Sequence, residues 1–311
     1  MATAKVRPVP DRRIDPEKRA ALVAHAHEAI KVGSQSFSAA SQLFDTETRE
    51  RAWLLYAWCR RCDDIADNQL MGGELGDQSD LDARLALIRK LTAKAFAGEP
   101  TGDASFDAFS VVAHECGLTP AMAEDVIAGF ALDAEDWRPR TEADMMRYCY
   151  HVAGAVGVMM AVVMGVDPKD TDTLDRANDL GLAFQLSNIA RDIVEDDAVG
   201  RCYLPVEWLV EQDIEPGQHT KPHHREELAE MAARLPFRSR WAVLSAARIY
   251  GAIGRKVRTR GTEAWNSRTY VPRWEKAFYG ARAFLSAAIN REKAPAGGIY
   301  WGIADFRPSS N

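Results

Sequence analysis

Two short acidic segments constrain this chain more than any other feature, because each falls within a stretch of helical periodicity. The first contains Asp63 and Asp67, and the second contains Asn188, Asp192 and Asp196. Residues four positions apart share one face of a helix, so each set is expected to project as a column. Like charges at this spacing destabilise an isolated helix. Each column therefore needs a compensating cation or a solvated face.

Carboxylate columns of this kind suit a hard divalent cation. Mg²⁺ is usually held by one or two carboxylates together with the phosphates of a substrate, so two such columns predict a site that handles a diphosphate. A solvated helix face is the alternative, but apolar residues precede both segments, at 53–58 and 180–186. A calcium loop is excluded, because EF-hand ligands alternate through a loop that contains glycine.

Composition narrows the class of protein. The 311 residues are 47% hydrophobic, enough for a sizeable core, and the net charge of −6 argues against nucleic acid as a partner. Residues 2–18 are charged and rich in proline, which predicts a loose arm without a secretory signal. Five cysteines, an odd number, predict reduced thiols in the cytoplasm. Cys59 and Cys62 form a C-x-x-C pattern, but helical periodicity there argues against a redox motif.

Helical patterns extend along the chain, and no alternating run predicts a sheet. The apolar stretch 152–166 is shorter than the roughly 18–20 residues that span a bilayer, so we expect a buried central helix. The predicted helices cover residues 16–32, 46–67, 81–97, 106–115, 120–134, 142–164 and 171–196, with others near 225, at 240–256 and at 272–290. We expect one all-α domain over residues 16–292 around a central hydrophobic cavity, a loose arm at 1–15 and a loose tail at 293–311.

Polar residues near the acidic segments have two interpretations each. Arg60 and Arg191 adjoin the carboxylates and suit phosphate oxygens, although either can form an intrahelical ion pair instead. Ser34 follows a helix break, where a hydroxyl caps the next helix or holds a phosphate. Four tyrosines are either core residues or aromatic faces that stabilise a carbocation; they are Tyr56, Tyr148, Tyr203 and Tyr250.

Together these segments resemble the squalene/phytoene synthase family over roughly residues 29–288. The resemblance is carried by residues 33–38, 55–67, 148–157 and 182–205. Most specific is the Gln-x-x-Asn-x-x-Arg-Asp pattern that begins at Gln185. A lone aspartate-rich motif would also fit head-to-tail prenyltransferases, whereas this pattern favours the head-to-head enzymes.

The resemblance implies an all-α isoprenoid synthase fold, with Mg²⁺, or alternatively Mn²⁺, bridging both acidic segments and the substrate diphosphates. The implied metal ligands are Asp63, Asp67, Asn188, Asp192 and Asp196. The implied contacts to prenyl diphosphate are Ser34, Ser36, Phe37, Tyr56, Arg60, Gln185, Asn188, Arg191, Tyr250 and Arg268. Tyr148 and Tyr203 match phenols near the reacting centre. The spacing between Tyr250 and Arg268 is one residue longer than in some relatives.

The implied reaction joins two geranylgeranyl diphosphates head to head, through prephytoene diphosphate, to give phytoene for carotenoid biosynthesis, without NADPH. One alternative is a C15 enzyme that makes dehydrosqualene or squalene, and another is a non-catalytic lipid-binding or assembly protein. We expect a tunnel for two C20 chains lined by Val152, Val156, Gly157, Met160 and Phe184. Ser41 stands where some shorter-chain relatives have an aromatic residue, which is consistent with extra room.

Long hydrocarbon substrates and products predict a cytoplasmic protein that associates peripherally with the cytoplasmic membrane. The candidate contacts are the basic segments 234–240 and 255–260, which are alternatively solvated helix ends. The resemblance also allows contact with other carotenoid enzymes.

Overall fold

The structure, a computed structural model, describes residues 15–69, 76–77, 79–134, 138–198 and 200–215, together with a few later positions that include 303–306. All regular elements in these ranges are helices, and none is a strand. They are α1 (Pro16–Gly33), α2 (Gln35–Ser41), α3 (Thr46–Ala66), α4 (Leu81–Ala97), α5 (Ala104–Cys116), α6 (Pro120–Ala134), α7 (Glu142–Cys149), a π-helix (Tyr150–Gly154), α8 (Ala155–Val163), α9 (Thr171–Ala198), α10 (Val206–Glu211) and α11 (Ile303–Phe306). The predicted all-α class is confirmed.

The chain forms two compact units. Unit 1 comprises Met1–Ala134 and Met159–Pro168, and unit 2 comprises Glu135–Val158 and Lys169–Asn311. Helix α8 contributes residues to both. The first acidic segment belongs to unit 1 and the second to unit 2. The domain boundaries expected from the sequence stay a prediction.

Unit 1 is built on α3, which packs against α1, α4 and α5. Its core includes Trp58, whose ring stacks on Phe109 with centroids 4.3 Å apart. Phe96 meets the same Phe109 ring edge-on at 5.3 Å. Trp58 is fully buried, and its indole N–H donates to Thr92 Oγ1 at 3.3 Å. The core therefore holds α3 in place, and the buried indole N–H of Trp58 has a hydrogen-bond acceptor.

A network of charges ties α1, α3 and α5 together. Arg19 binds Glu115 at 2.7 Å and Glu50 at 2.6 Å, and Arg51 binds Glu115 at 2.8 Å. Burial raises the pKa of Glu115, but the hydrogen bonds from Arg19 and Arg51 outweigh that effect and leave its pKa below the ordinary glutamate value. The folded state thus favours the charged form of Glu115.

In unit 2, α9 packs against α7 and the π-helix. The sequence predicts one continuous α-helix over 142–164, whereas the structure inserts a π-helix at Tyr150–Gly154. Three glycines lie at the contact between this segment and α9. A β-carbon on Gly157 would lie 2.6 Å from the Ala177 carbonyl oxygen, and one on Gly181 would lie 2.4 Å from that of Ala153. Gly154 faces Asn178, which is fully buried. Only glycine permits so close an approach.

Helix α11 packs onto the same region of unit 2. The Phe306 ring stacks on Tyr150 with centroids 4.8 Å apart, and the Ile303 N–H donates to Asp175 Oδ1 at 3.0 Å. Phe306 is buried. Phe306 therefore contacts the π-helix, and Ile303 contacts α9.

Among the described residues, one helical stretch, Glu142–Val163, is long and apolar enough to cross a membrane by length and composition. Of its most apolar window, 61% is buried within the protein. Buried core helices meet the same criteria.

Candidate active site

Helix α3 ends within the first acidic segment. Asn68 adopts the left-handed conformation with φ of 48°, and its N–H donates to the Ile65 carbonyl at 3.2 Å. The Gln69 N–H donates to the Asp64 carbonyl at 2.8 Å. This pair of hydrogen bonds is a Schellman ending, with asparagine at the left-handed position. The sequence predicts a helix whose last residue is Asp67. In the structure α3 ends at Ala66, and Asp67 is its C-cap residue.

Asp67 nevertheless stays in helical register with Asp63. Its N–H donates to the Asp63 carbonyl at 2.9 Å, which is the bond that an α-helix would make. The expected column of the two aspartates is therefore preserved at the helix end. Gln69 Nε2 donates to Asp67 Oδ2 at 3.3 Å.

The second acidic segment departs from a regular helix at its centre. Asp192 has φ of −104° and ψ of 15°, a kink within α9. The sequence predicts an uninterrupted helix from 171 to 196, so this expectation is corrected. The end of α9 repeats that of α3: the Gly200 N–H donates to the Asp197 carbonyl and the Arg201 N–H to the Asp196 carbonyl, each at 2.9 Å. Gly200 has φ of 78°, which glycine adopts readily.

Both acidic segments place carboxylates at the negative end of a helix dipole. The residues concerned are Asp63, Asp64 and Asp67 on α3, and Glu195, Asp196 and Asp197 on α9. Neither helix has a basic residue in its last turn. Such placement is unfavourable by about 0.3–1 kcal/mol for each exposed charge. A bound cation near either helix end would offset that cost.

Among the described residues, no three His, Cys, Asp or Glu side chains converge closely enough to form a metal site of their own. This arrangement fits Mg²⁺, which is commonly held by one or two carboxylates with substrate phosphates completing its coordination.

Arg60 pairs with the carboxylates of its own helix and retains unused donors. Its Nη1 lies 3.1 Å from Asp63 Oδ2, and its Nη2 lies 3.0 Å from Oδ1 of Asp64, whose side chain is only 3% exposed. The Nε and Nη2 atoms are buried without a hydrogen-bond partner, so the second contact is a charge pair without hydrogen-bond geometry. Arg60 thus forms the intrahelical pair and still has donors for phosphate oxygens.

Tyr56 lies one helical turn before Arg60, against the end of α1. The Tyr56 hydroxyl packs against Gly33, where a β-carbon would require the phenol to shift. The Phe37 ring is 5.9 Å away. Burial raises the pKa of Tyr56, although Arg60 opposes the shift. The phenol is therefore a hydrogen-bond donor at neutral pH.

Two serines near Tyr56 have defined roles in holding α2. Ser34 Oγ accepts the Phe37 N–H at 3.3 Å, which supports its capping role. Ser41 is fully buried: its hydroxyl donates to the Ser38 carbonyl at 2.8 Å and accepts the Trp53 indole N–H at 2.9 Å. Ser41 is a packed link between α2 and α3, and the extra room expected there is not present at its hydroxyl.

In unit 2, Tyr148 and Tyr203 lie together as a buried pair. Their rings stack at 4.7 Å with an angle of 19° between the planes. Tyr203 also lines a small crevice at the end of α9 with Asp196 and Arg201. The structure therefore brings together the two phenols assigned to the reacting centre, and places one beside a predicted metal ligand.

The predicted tunnel residues divide into two groups. Val152, Val156 and Phe184 are half-buried, and their role as tunnel lining stays a prediction. In contrast, a β-carbon on Gly157 would point at the Ala177 carbonyl. Asn188 Nδ2 lies 3.5 Å from Gln185 Oε1, at the limit of a hydrogen bond. The side chains of Ser36 and Arg191, and residues Tyr250 and Arg268, lie outside the described part of the chain.

The cysteines of the C-x-x-C pattern lie inside α3. Burial raises the pKa of the Cys59 thiol to about 12, with Asp63 adding to the shift, and burial also raises the pKa of Cys62. A redox cysteine instead has a lowered pKa. This contrast supports the interpretation that the pattern is not a redox motif.

The chain is similar to known proteins in both fold and sequence. The chain has the all-α isoprenoid synthase fold: a dehydrosqualene synthase crystallised with a ligand superposes with a TM-score of 0.73 at 26% identity, covering 88% of this chain and 99% of that one. Residues 30–275 match the profile described as Squalene/phytoene synthase. The chain belongs to the squalene/phytoene synthase family.

Two bacterial relatives are similar over most of their length. A phytoene synthase from Pseudescherichia vulneris is 44% identical over 275 residues, covering 82% of this chain and 88% of the relative. A 15-cis-phytoene synthase from Pantoea ananas is 42% identical over 293 residues, covering 88% of this chain and 94% of the relative.

Proposed function

We propose that this protein condenses two molecules of geranylgeranyl diphosphate head to head, through prephytoene diphosphate, to form phytoene in carotenoid biosynthesis. The relatives named phytoene synthase support the C20 substrate. One structural observation carries the diphosphate chemistry: α3 and α9 each place carboxylates at the helix end where the dipole is negative. Such helix ends suit a cation that arrives with an anionic substrate.

The proposed metal ligands are Asp63 and Asp67 in unit 1, and Asn188, Asp192 and Asp196 in unit 2. Mg²⁺, with Mn²⁺ as an alternative, would neutralise negative charge on the departing diphosphate. The kink at Asp192 turns the second segment out of regular helical register, so its ligands need not follow the spacing of a straight helix.

Arg60 is proposed to bind a substrate diphosphate through its unused donors. Its pairing with Asp63 and Asp64 holds the guanidinium against α3, which lowers the entropy lost when it engages phosphate. Tyr56 is proposed to donate a hydrogen bond from its hydroxyl to a diphosphate oxygen, since its raised pKa keeps the phenol neutral.

The stacked phenols Tyr148 and Tyr203 are proposed to face the carbocations. Aromatic faces stabilise positive charge, and their burial helps to keep water from quenching it. Two C20 diphosphates yield one C40 hydrocarbon, two diphosphates and two protons, so the reaction balances without a reductant. We propose that the released diphosphate accepts the final proton.

The decisive experiment incubates purified protein and Mg²⁺ with C20 or C15 prenyl diphosphate, each with and without NADPH. Product analysis is expected to find phytoene from the C20 substrate and no change on adding NADPH. Conversion of the C15 substrate alone would replace this proposal with dehydrosqualene or squalene synthesis. Absence of diphosphate release from both substrates would favour the non-catalytic alternative.

We also propose a cytoplasmic protein that associates peripherally with the membrane, because a C40 hydrocarbon must leave the enzyme into an apolar phase. The candidate segment 234–240 and half of the residues in 255–260 lie outside the described residues. Liposome flotation at low and high salt is expected to show binding that salt weakens. Failure to bind at either salt concentration would remove this proposal and leave the catalytic one intact.

A further inference from the structure

The last turn of α3 depends on a residue from the next helix. Three of its four terminal carbonyls, those of Asp63, Asp64 and Ile65, accept backbone N–H groups from residues 67–69. The fourth, that of Ala66, instead accepts Nε of Arg84 at 3.1 Å. Arg84 thus completes the hydrogen bonding of the helix end that carries the first acidic segment.

Arg84 also fastens the segment that follows the helix. Its Nη1 donates to the Asp77 carbonyl at 3.0 Å. The same carbonyl accepts Asn68 Nδ2 at 2.9 Å, and the Gly76 N–H donates to the Asn68 carbonyl at 3.0 Å. One guanidinium therefore joins α3, residues 76–77 and α4 at the point where Asn68 turns the chain in the left-handed conformation.

Arg84 brings a positive charge to this helix end as well. Helix α3 has no basic residue in its last turn, which contains Asp63 and Asp64, and Asp67 follows as the C-cap; all three aspartates oppose the dipole. A cation near a helix C-terminus is favourable. Because the guanidinium fork reaches two carbonyls at once, it supplies geometry that a lysine ammonium cannot reproduce.

We propose that Arg84 is a positioning residue for the first acidic segment: by clamping the carbonyls of Ala66 and Asp77, it holds Asp63 and Asp67 in place for metal and diphosphate. This inference rests on the proposed function of the same site. Arg84 acts through the backbone, and no contact with substrate is required of it. Loss of an outer group that orients metal ligands typically costs about 10–100-fold in metal affinity or activity.

The test compares Arg84→Gln and Arg84→Lys with wild-type protein and with Arg89→Gln. Arg89 lies on α4 too, but it is exposed and pairs with Glu124 at 2.9 Å, so it is a matched control for loss of charge. The first measurement is amide hydrogen exchange at Asn68 and Gln69 without metal or substrate. The second is calorimetric binding of Mg²⁺ with inorganic diphosphate, together with the Mg²⁺ dependence of diphosphate release from C20 substrate.

Arg84→Gln is expected to accelerate exchange at both amides and to weaken Mg²⁺-dependent binding by about 10-fold, while Arg89→Gln changes neither. Arg84→Lys keeps the charge and provides a second test if Arg84→Gln does not fold. It is expected to retain less than half of the protection from exchange that Arg84 gives to the two amides. Unchanged exchange, or faster exchange with unchanged Mg²⁺ dependence, would overturn the inference, as would full rescue by lysine. If wild-type protein neither binds Mg²⁺ with diphosphate nor releases diphosphate, the proposed function fails, and the exchange data alone decide whether Arg84 anchors the helix end.

Discussion

Gly157 and Ala177 meet so closely that a β-carbon on Gly157 would lie 2.6 Å from the Ala177 carbonyl oxygen. Because the obstacle is backbone rather than a flexible side chain, a larger residue must move α9. We expect Gly157→Ala to lower the unfolding free energy by about 1–3 kcal/mol, as overpacking does. Urea denaturation will measure this loss.

Val156→Ala provides the comparison, since Val156 adjoins Gly157 and is half-buried. We expect this variant to be less destabilised than Gly157→Ala and to shift the preference between C15 and C20 substrates if Val156 lines the tunnel. A fully stable Gly157→Ala protein would show that the helices separate easily at this point.

Removing either central aspartate is expected to abolish the Mg²⁺-dependent reaction. Asp63→Ala and Asp192→Ala each delete a proposed metal ligand, so turnover should fall by at least about 10²–10³-fold, the range for losing a group that stabilises developing charge. The fold should be kept, as judged by circular dichroism. Asp172→Ala is the control, because Asp172 lies on α9 in an exposed pair with Arg176. Near-wild-type turnover in either test variant would remove that residue from the ligand set.

Arg60→Ala is expected to raise the KM for prenyl diphosphate by about 10–100-fold, which corresponds to about 1.5–3 kcal/mol for hydrogen bonds to a charged group. It should also lower stability, because Asp64 loses its charged neighbour while its side chain is only 3% exposed. Adding Asp64→Asn to the Arg60→Ala variant should restore stability, while the KM for prenyl diphosphate should stay raised. A double variant that recovers both would show that Arg60 acts only as an ion-pair partner.

Acid is expected to destabilise unit 1 through Glu115. Since the pKa of Glu115 is lowered in the folded protein, its ion pairs contribute full stability above the unfolded-state value of about 4.3. That contribution is lost as the pH falls through the folded-state pKa. Urea midpoints measured by tryptophan fluorescence should fall more steeply with acid in wild type than in Glu115→Gln. Parallel pH profiles for the two proteins would contradict the role of Glu115 in acid sensitivity. Glu124→Gln, a change at an exposed glutamate, is the control and should behave like wild type.

Cys59 is expected to resist alkylation in the native protein. With its pKa raised to about 12, the reactive thiolate is scarce at pH 7.5. Mass spectrometry after iodoacetamide treatment should find Cys59 unmodified in native protein and all five cysteines modified in urea. Rapid native labelling of Cys59, or loss of activity on mild oxidation, would reopen a redox role.

Local signals predicted most helix boundaries in unit 1. Asp15 caps α1 ahead of Pro16, and α4 runs over Leu81–Ala97, as expected, before Gly98 ends it with φ of 69°. Helices α2 and α10 were not predicted, because neither is long enough to show a periodic apolar face. The π-helix and the kink at Asp192 also escaped prediction, since hydrophobic periodicity does not encode a change in backbone hydrogen bonding.

The sequence identified the carboxylates and the two phenols that the structure stacks, Tyr148 and Tyr203. It gave no sign of Arg84, because an arginine that binds backbone carbonyls requires no particular residue at the positions it contacts. It also could not show whether Gly157 faces a tunnel or a neighbouring helix, since glycine has no side chain whose polarity would indicate its surroundings.

Because Phe306 stacks on Tyr150, one contact within unit 2 can form only late in the synthesis of the chain. Residue 306 leaves the ribosome long after residues 150 and 175, so the face that Phe306 covers and the carboxylate that receives the Ile303 N–H stay open while the intervening chain is made. Completion of this part of unit 2 therefore follows the emergence of residue 306, however early the helices around Tyr150 form.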